Sequence, residues 1–135
     1  MLRVLLVDDG PEQATLVARA LQRTGIDITL DTAATGVAAF DYLSSRASTN
    51  EGELPDVVLL DLGLPDIDGH DVLATLKLIR ELQHIPVVIL SGSQDPEDID
   101  RGRNLRASSY IVKPLSIDEL AGSLAKVLTP NVEAK

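Results

Sequence analysis

Carboxylates follow directly on two apolar runs of this chain. Asp8 and Asp9 come after Arg3–Val7 (RVLLV), and Asp61 comes after Asp56–Leu60 (DVVLL). Two further runs end in groups of different chemistry: Ser91-Gly92-Ser93 after Pro86–Leu90 (PVVIL), and Lys113-Pro114 after Ser109–Val112. Three carboxylates brought together repel one another, and left alone they would protonate or destabilise the fold. A hard divalent cation relieves the repulsion, and an all-oxygen site suits Mg²⁺ or Mn²⁺. Mg²⁺ keeps several waters and takes one or two carboxylates plus phosphate oxygens. A carboxylate beside such a metal is also a nucleophile toward phosphoryl groups. Lys113 is a mobile point charge able to neutralise a phosphoryl oxygen. Ser91 offers a hydroxyl donor, and Gly92 leaves room for an incoming group. Taken singly, each residue has an ordinary explanation: an acidic pair is often a helix cap, a serine after a strand is a loop residue, and a lone lysine is solvated. Their joint occurrence after four separate apolar runs argues for a site.

The elements that must position these groups alternate. After the first apolar run, Pro11 suits the first turn of a helix, and Leu16, Val17, Ala20 and Leu21 keep helical spacing up to a stop at Gly25. Ile26–Thr32 sets Ile26, Ile28 and Leu30 on one face, as a strand exposed on one side does. Thr35–Leu43 reads as a helix capped by Thr35, and Ser44–Pro55 (SSRASTNEGELP) reads as a polar loop. Asp56–Leu60 is a continuous apolar run of the kind found mid-sheet among parallel strands. Val72, Leu73, Leu76 and Ile79 line one face of the next helix, and Pro96–Leu105 is a polar, weakly amphipathic helix. Ser116 opens the last helix with Glu119 in capping-box spacing; Leu120, Leu124, Val127 and Leu128 face the core. The expected organisation is one domain over residues 1–129 and a frayed tail over 130–135. Strand–helix alternation repeated five times implies a parallel sheet covered by helices on both faces. Ligands of open parallel sheets bind at the carboxyl ends of the strands, where all the groups above would meet.

Composition excludes several classes. A chain of 135 residues suits one compact domain. Its net charge of −9, from 12 basic and 21 acidic residues, opposes nonspecific nucleic-acid binding, which needs clustered Lys and Arg. The same charge opposes docking on anionic membranes. No cysteine is present, so disulfides, thiol catalysis and zinc–thiolate sites are out. Aromatics amount to 2%, namely Phe40, Tyr42 and Tyr110, too few for a stacking platform. No apolar run approaches the roughly 18 residues that span a bilayer, and the N-terminal run is a strand rather than a secretory signal. These features point to a cytoplasmic protein. His70 reads as a helix-face residue, and His84, beside Ile85-Pro86, as a residue at a helix C-terminus.

The set Asp8-Asp9, Asp61-Leu62-Gly63-Leu64-Pro65 through Asp68-Gly69, Ser91-Gly92 and Tyr110-Ile111-Val112-Lys113-Pro114 resembles the receiver domain of two-component response regulators, over essentially the whole chain. The resemblance implies an α/β, flavodoxin-like, doubly wound five-stranded parallel sheet in the order 2-1-3-4-5. It implies that Asp61 is the phosphoacceptor and that Asp8, Asp9 and Asp61 bind Mg²⁺ with the Gly63 carbonyl. Ser91 matches the switch hydroxyl, Lys113 the phosphoryl-binding lysine and Tyr110 the aromatic switch residue. Lys113–Pro114 is expected to be a cis bond, and Gly69 closes the loop after Pro65. Gly10 and Gly63 stand where many receivers carry larger residues, and the position of Gly63 lies over the phosphoryl group. The long polar loop resembles that of single-domain regulators paired with phytochrome-type histidine kinases. About seven residues follow the last helix, so a stand-alone regulator is expected. Its output would run through a docked protein target, a homodimer or relay to a phosphotransfer protein, with no DNA-binding output domain and no enzymatic turnover of a substrate.

Three rival readings fit the residues less well. A Mg²⁺-dependent phosphohydrolase of the haloacid-dehalogenase group wants a second Asp two residues after the nucleophile, where Gly63 stands. A flavodoxin-like electron carrier is opposed by the missing aromatics and by the acidic loop after the first strand. A scaffold receiver without phosphorylation is opposed by the intact Asp8, Asp9, Asp61 and Lys113.

Overall fold

In the computed structural model the apolar runs form strands and the stretches between them helices, in the order β1 (Leu2–Val7), α1 (Pro11–Arg23), β2 (Ile28–Ala33), α2 (Gly36–Thr49), β3 (Val57–Leu60), α3 (Gly69–Leu78), β4 (Val87–Ser91), α4 (Pro96–Asn104), β5 (Ser109–Val112) and α5 (Ile117–Glu133). The structure describes residues 1–49, 54–113 and 116–133. All strand pairs are parallel, and the sheet order is β2-β1-β3-β4-β5, the architecture expected from the alternation and the resemblance.

Successive strand side chains point to opposite faces, and the core divides accordingly. Leu2, Val4, Leu6, Val57, Leu59, Val88 and Leu90 pack with Val17, Ala20 and Leu21 of α1 and Leu120, Leu124 and Leu128 of α5. Leu5, Val7, Val58, Leu60, Val87 and Ile89 pack with Ala39 and Leu43 of α2 and Val72, Leu73 and Leu76 of α3. β3 is buried on both faces along its whole length, which explains its unbroken apolar sequence. β2, at the sheet edge, is half-buried apart from its last two residues, and Ile26, Ile28 and Leu30 do share one face toward the α1–α5 layer.

Several boundaries differ from the sequence expectation. α2 runs on to Thr49, through much of the segment read as a polar loop. Arg46 lies over the Tyr42 ring at 4.2 Å, an i,i+4 cation–π contact that supports the extra turn, and Ala47 packs on the core. Residues 50–53 of the expected loop lie outside the described residues. α3 stops at Leu78, because Ile79 takes an extended conformation. The turn that follows returns Leu82 and Ile85 to the core, closed by the Leu82 and Gln83 N–H groups donating to the Ile79 carbonyl. His84 therefore sits in this turn and not at a helix C-terminus. α5 continues to Glu133, past the point where a tail was expected. Pro130 lacks an N–H and removes one backbone bond, but the helical backbone carries through it.

The expected caps form. Thr35 Oγ1 accepts the Ala38 N–H at 3.0 Å, and Ser116 Oγ accepts the Glu119 N–H at 3.1 Å. Among the described residues, no helix is long and apolar enough to cross a membrane.

Candidate functional site

The sheet ladder does not end with the strands, and this is what holds the site. The Asp8 N–H donates to the Ala33 carbonyl at 3.0 Å, the Asp61 N–H to the Val7 carbonyl at 2.9 Å and the Lys113 N–H to the Ser91 carbonyl at 2.7 Å. Each residue is thus the first one past its strand, still tied by its backbone to a neighbouring strand. Val7 is in register with Leu60, so Asp8 and Asp61 leave the sheet level with each other.

Their side chains converge. Asp8, Asp9 and Asp61 each offer a carboxylate oxygen, and these lie within 4.8 Å of one another. Asp8 and Asp61 are buried, whereas Asp9 is exposed. Asp8 is oriented by the Gly10 N–H, which donates to its Oδ1 at 2.9 Å. Lys113 Nζ reaches both buried acids, at 3.4 Å from Asp8 Oδ2 and 3.5 Å from Asp61 Oδ1. Three carboxylates and one ammonium group leave this cluster with a net charge of minus two. The donor set is all oxygen and the charge matches a divalent cation, so a hard ion such as Mg²⁺ or Mn²⁺ fits these residues.

The β3–α3 loop runs along the same edge. A Cβ added at Gly63 would lie 3.8 Å from Asp61 Oδ2, so any larger residue there would stand beside the carboxylate. Pro65 is exposed. Gly69 closes the loop: its N–H donates to the Leu62 carbonyl at 3.0 Å. Here glycine is required by space, because a Cβ would come within 2.6 Å of the Asp61 carbonyl oxygen and of Leu62 Cα.

On the other flank, Ser91 is the last residue of β4 and is buried. Its hydroxyl oxygen accepts the Ser93 N–H at 3.1 Å. A Cβ added at Gly92 would meet nothing within 4 Å, so the expected room is present. Tyr110 is half-buried on β5, and its hydroxyl donates to the Ser93 carbonyl at 2.9 Å. Pro114, with the expected cis bond, lies outside the described residues.

Some connections were not anticipated from sequence. Ser93 Oγ donates to Asp98 Oδ2 at 2.5 Å. His70 is indeed on a helix face, but a buried one: its Nε2 lies 3.1 Å from the Asp98 carbonyl oxygen and joins α3 to α4. The Asp66 carboxylate accepts the Gly36 and Val37 N–H groups at 2.9 and 3.0 Å, and these bonds, Val37's first, hold its carboxyl below the usual carboxylate range. No local sequence signal marks the His70 and Asp66 contacts, because their partners are 28 to 30 residues away; Ser93 and Asp98, five residues apart, are local. The Asp68 cap of α3, which accepts the His70 N–H at 2.9 Å, does have one: an aspartate immediately before the helix.

A family model described as response regulator receiver domain matches residues 4–125 of the chain. The probable methanogenesis regulatory protein FilR2 of Methanothrix harundinacea is 38% identical over 124 residues, covering 92% of this chain and 79% of FilR2. Response regulator Rcp1 of Synechocystis is 33% identical over 117 residues, covering 87% of this chain and 80% of its own. The crystal structure of its Mn²⁺-bound form superposes with a TM-score of 0.81 at 30% identity, over 96% of this chain and 93% of the other. The phosphorylated cyanobacterial phytochrome response regulator RcpA superposes with a TM-score of 0.85 at 30% identity, over 98% and 95% of the two chains.

Proposed function

This chain belongs to the response regulator receiver family, and on that premise we propose that Asp61 accepts a phosphoryl group from the phosphohistidine of a sensor kinase in a Mg²⁺-dependent reaction. The observation that carries the proposal is the meeting of Asp8, Asp9 and Asp61 within 4.8 Å, with Lys113 Nζ against both buried acids.

A carboxylate oxygen of Asp61 attacks phosphorus in line. The new P–O bond forms an acyl phosphate while the P–N bond to the donor imidazole breaks and its electron pair returns to the ring nitrogen. Such transfer needs little beyond positioning and charge neutralisation at the three equatorial oxygens. Lys113 moves one of its contacts from the free carboxylate to a phosphoryl oxygen. Ser91 exchanges its bond with Ser93 for donation to another. The residues that would hold the ion are Asp8, Asp9, Asp61 and the Gly63 carbonyl; when bound, it supplies neutralisation of the phosphoryl oxygens. Attack by water on phosphorus breaks the P–O bond to Asp61, releases inorganic phosphate and regenerates the carboxylate. The chemistry is self-phosphorylation and its loss, not turnover of a separate substrate. Mn²⁺ fits the same oxygens, as the metal in the Rcp1 structure suggests.

We assign the donor to a kinase of the phytochrome type, on the likeness to RcpA, itself described as a phytochrome response regulator. The reading carries with it a cytoplasmic setting, a protein target, phosphotransfer protein or second copy as the receiving partner, and no nucleic acid. Radiolabel transfer from a panel of purified, autophosphorylated histidine kinases tests the donor. The phytochrome-type kinase should transfer fastest and lose its label to this chain. Equal transfer from unrelated kinases would remove the assignment.

A further inference from the structure

The loop that carries Gly63 is pinned at two points. One is Gly69, pressed against Asp61 and Leu62. The other is Asp66, which reaches out of the loop to the N-terminus of α2. The first N–H groups of a helix have no partner within it, and a negative group there is favoured by the helix dipole. α2 has no acidic residue in its own first turn, and the Thr35 hydroxyl and carbonyl accept only the later Ala38 and Ala39 N–H groups among the bonds described. Asp66 fills the gap from 30 residues away. Oδ1 accepts the Gly36 N–H at 2.9 Å, and Oδ2 accepts the Val37 N–H at 3.0 Å. Oδ1 also accepts the Ile67 N–H at 2.9 Å, which stiffens the loop locally. The contact is close beyond these bonds: a Cβ added at Gly36 would stand 3.1 Å from Ile67 Cδ1 and 3.2 Å from Val72 Cγ2. The span from Gly63 to Asp66 is therefore hung between the Asp61 backbone and the end of α2.

We propose that Asp66 is a positioning residue for the metal and phosphoryl site: its two-pronged bond to the start of α2 sets where the Gly63 segment sits beside the Asp61 carboxylate. This inference rests on the metal-dependent phosphoacceptor reading above. Groups that hold ligand-bearing segments in place commonly change metal affinity about 10- to 100-fold when removed.

Mn²⁺ affinity, measured by water-proton relaxation on the metal-free protein, tests the proposal together with the melting temperature without metal. Asp66→Ala should weaken Mn²⁺ binding about tenfold. Asp66→Asn should fall between, since its one carbonyl oxygen still accepts one of the two N–H groups. Thr35→Ala is the control. It removes one hydroxyl bond at the start of α2 and leaves both Asp66 acceptors in place, so it should lower the melting temperature yet leave Mn²⁺ affinity within about twofold of the parent, a bound set well below the tenfold effect. Asp66→Ala binding Mn²⁺ as tightly as the parent, or Thr35→Ala weakening it equally, would overturn the proposal. A parent chain that binds no Mn²⁺ would instead overturn the site reading on which it rests. Should Asp66→Ala fail to fold, Asp66→Asn against Thr35→Ala decides the matter by the same comparison.

Discussion

Asp8, Asp61 and Lys113 share one property: each is the first residue past a parallel strand and still belongs to the hydrogen-bonded ladder. That is why they were legible in the sequence. An apolar run followed at once by a charged residue announces both the strand and its carboxyl end, and parallel sheets place those ends together. Gly69 was legible only as a turn glycine; its reason is that a Cβ there would stand 2.6 Å from backbone atoms of Asp61 and Leu62. Gly69→Ala must push backbone aside and should cost about 1–3 kcal/mol, seen as a lower urea midpoint with an unchanged slope. Gly102 is a useful contrast. A Cβ there would also come within 2.6 Å, but of Ile89 Cδ1, the end of a side chain that can turn away, so Gly102→Ala should cost less than Gly69→Ala. A Gly102→Ala midpoint as low as that of Gly69→Ala would show that local backbone crowding is not what makes Gly69 necessary.

At the scale of elements, α4 is a helix with little apolar anchoring. Its buried residue is Gly102, and Ile99 is only half-buried, so few apolar contacts oppose a shift. What holds it is polar. Ser93 links the Ser91 hydroxyl, the Tyr110 hydroxyl and the Asp98 carboxylate, and His70 meets the Asp98 carbonyl. If Ser91 turns to a phosphoryl group on Asp61, the Ser93 bond is lost, and the hold on Tyr110 and α4 weakens with it. Phosphorylation acts on the packing only by binding two arrangements unequally. Hydrogen exchange with and without beryllofluoride and Mg²⁺ should therefore change across residues 91–113, and Ser91→Ala should bind the mimic without that change. Unchanged protection with Asp61 demonstrably occupied would contradict this route. None of the network was readable beforehand beyond Ser91 and Tyr110. Asp98 and Ser93 look like ordinary helix-entry residues, and His70 reveals its burial only once α3 and α4 are packed. The length of α2 was hidden for a related reason: Ser44–Thr49 is polar in sequence, and what extends the helix is the Arg46–Tyr42 contact and the packing of Ala47.

For the whole molecule, the balance of charge decides the behaviour. The chain carries a net charge of −9, and part of that excess is concentrated where Asp8, Asp9 and Asp61 meet. Mg²⁺ in the millimolar range should raise the melting temperature, because it binds the folded arrangement and not the unfolded chain. Asp9→Ala should reduce that shift while raising the melting temperature of the metal-free protein, since it removes an exposed carboxylate from a crowd. A parent protein whose melting temperature ignores Mg²⁺ at low ionic strength would contradict the convergence of these groups into a metal site. The overall architecture was the most legible level of all, because five repeats of strand and helix admit few topologies and the observed order β2-β1-β3-β4-β5 is the one the resemblance implied. At the centre stands the proposal that Asp61 is the group that takes the phosphoryl. Intact-mass analysis after incubation with acetyl phosphate tests it most directly. The parent should gain one phosphoryl group with Mg²⁺ and none in excess chelator, and Asp61→Asn should gain none in either case. Labelling of Asp61→Asn to the extent of the parent, at any residue, would contradict the account.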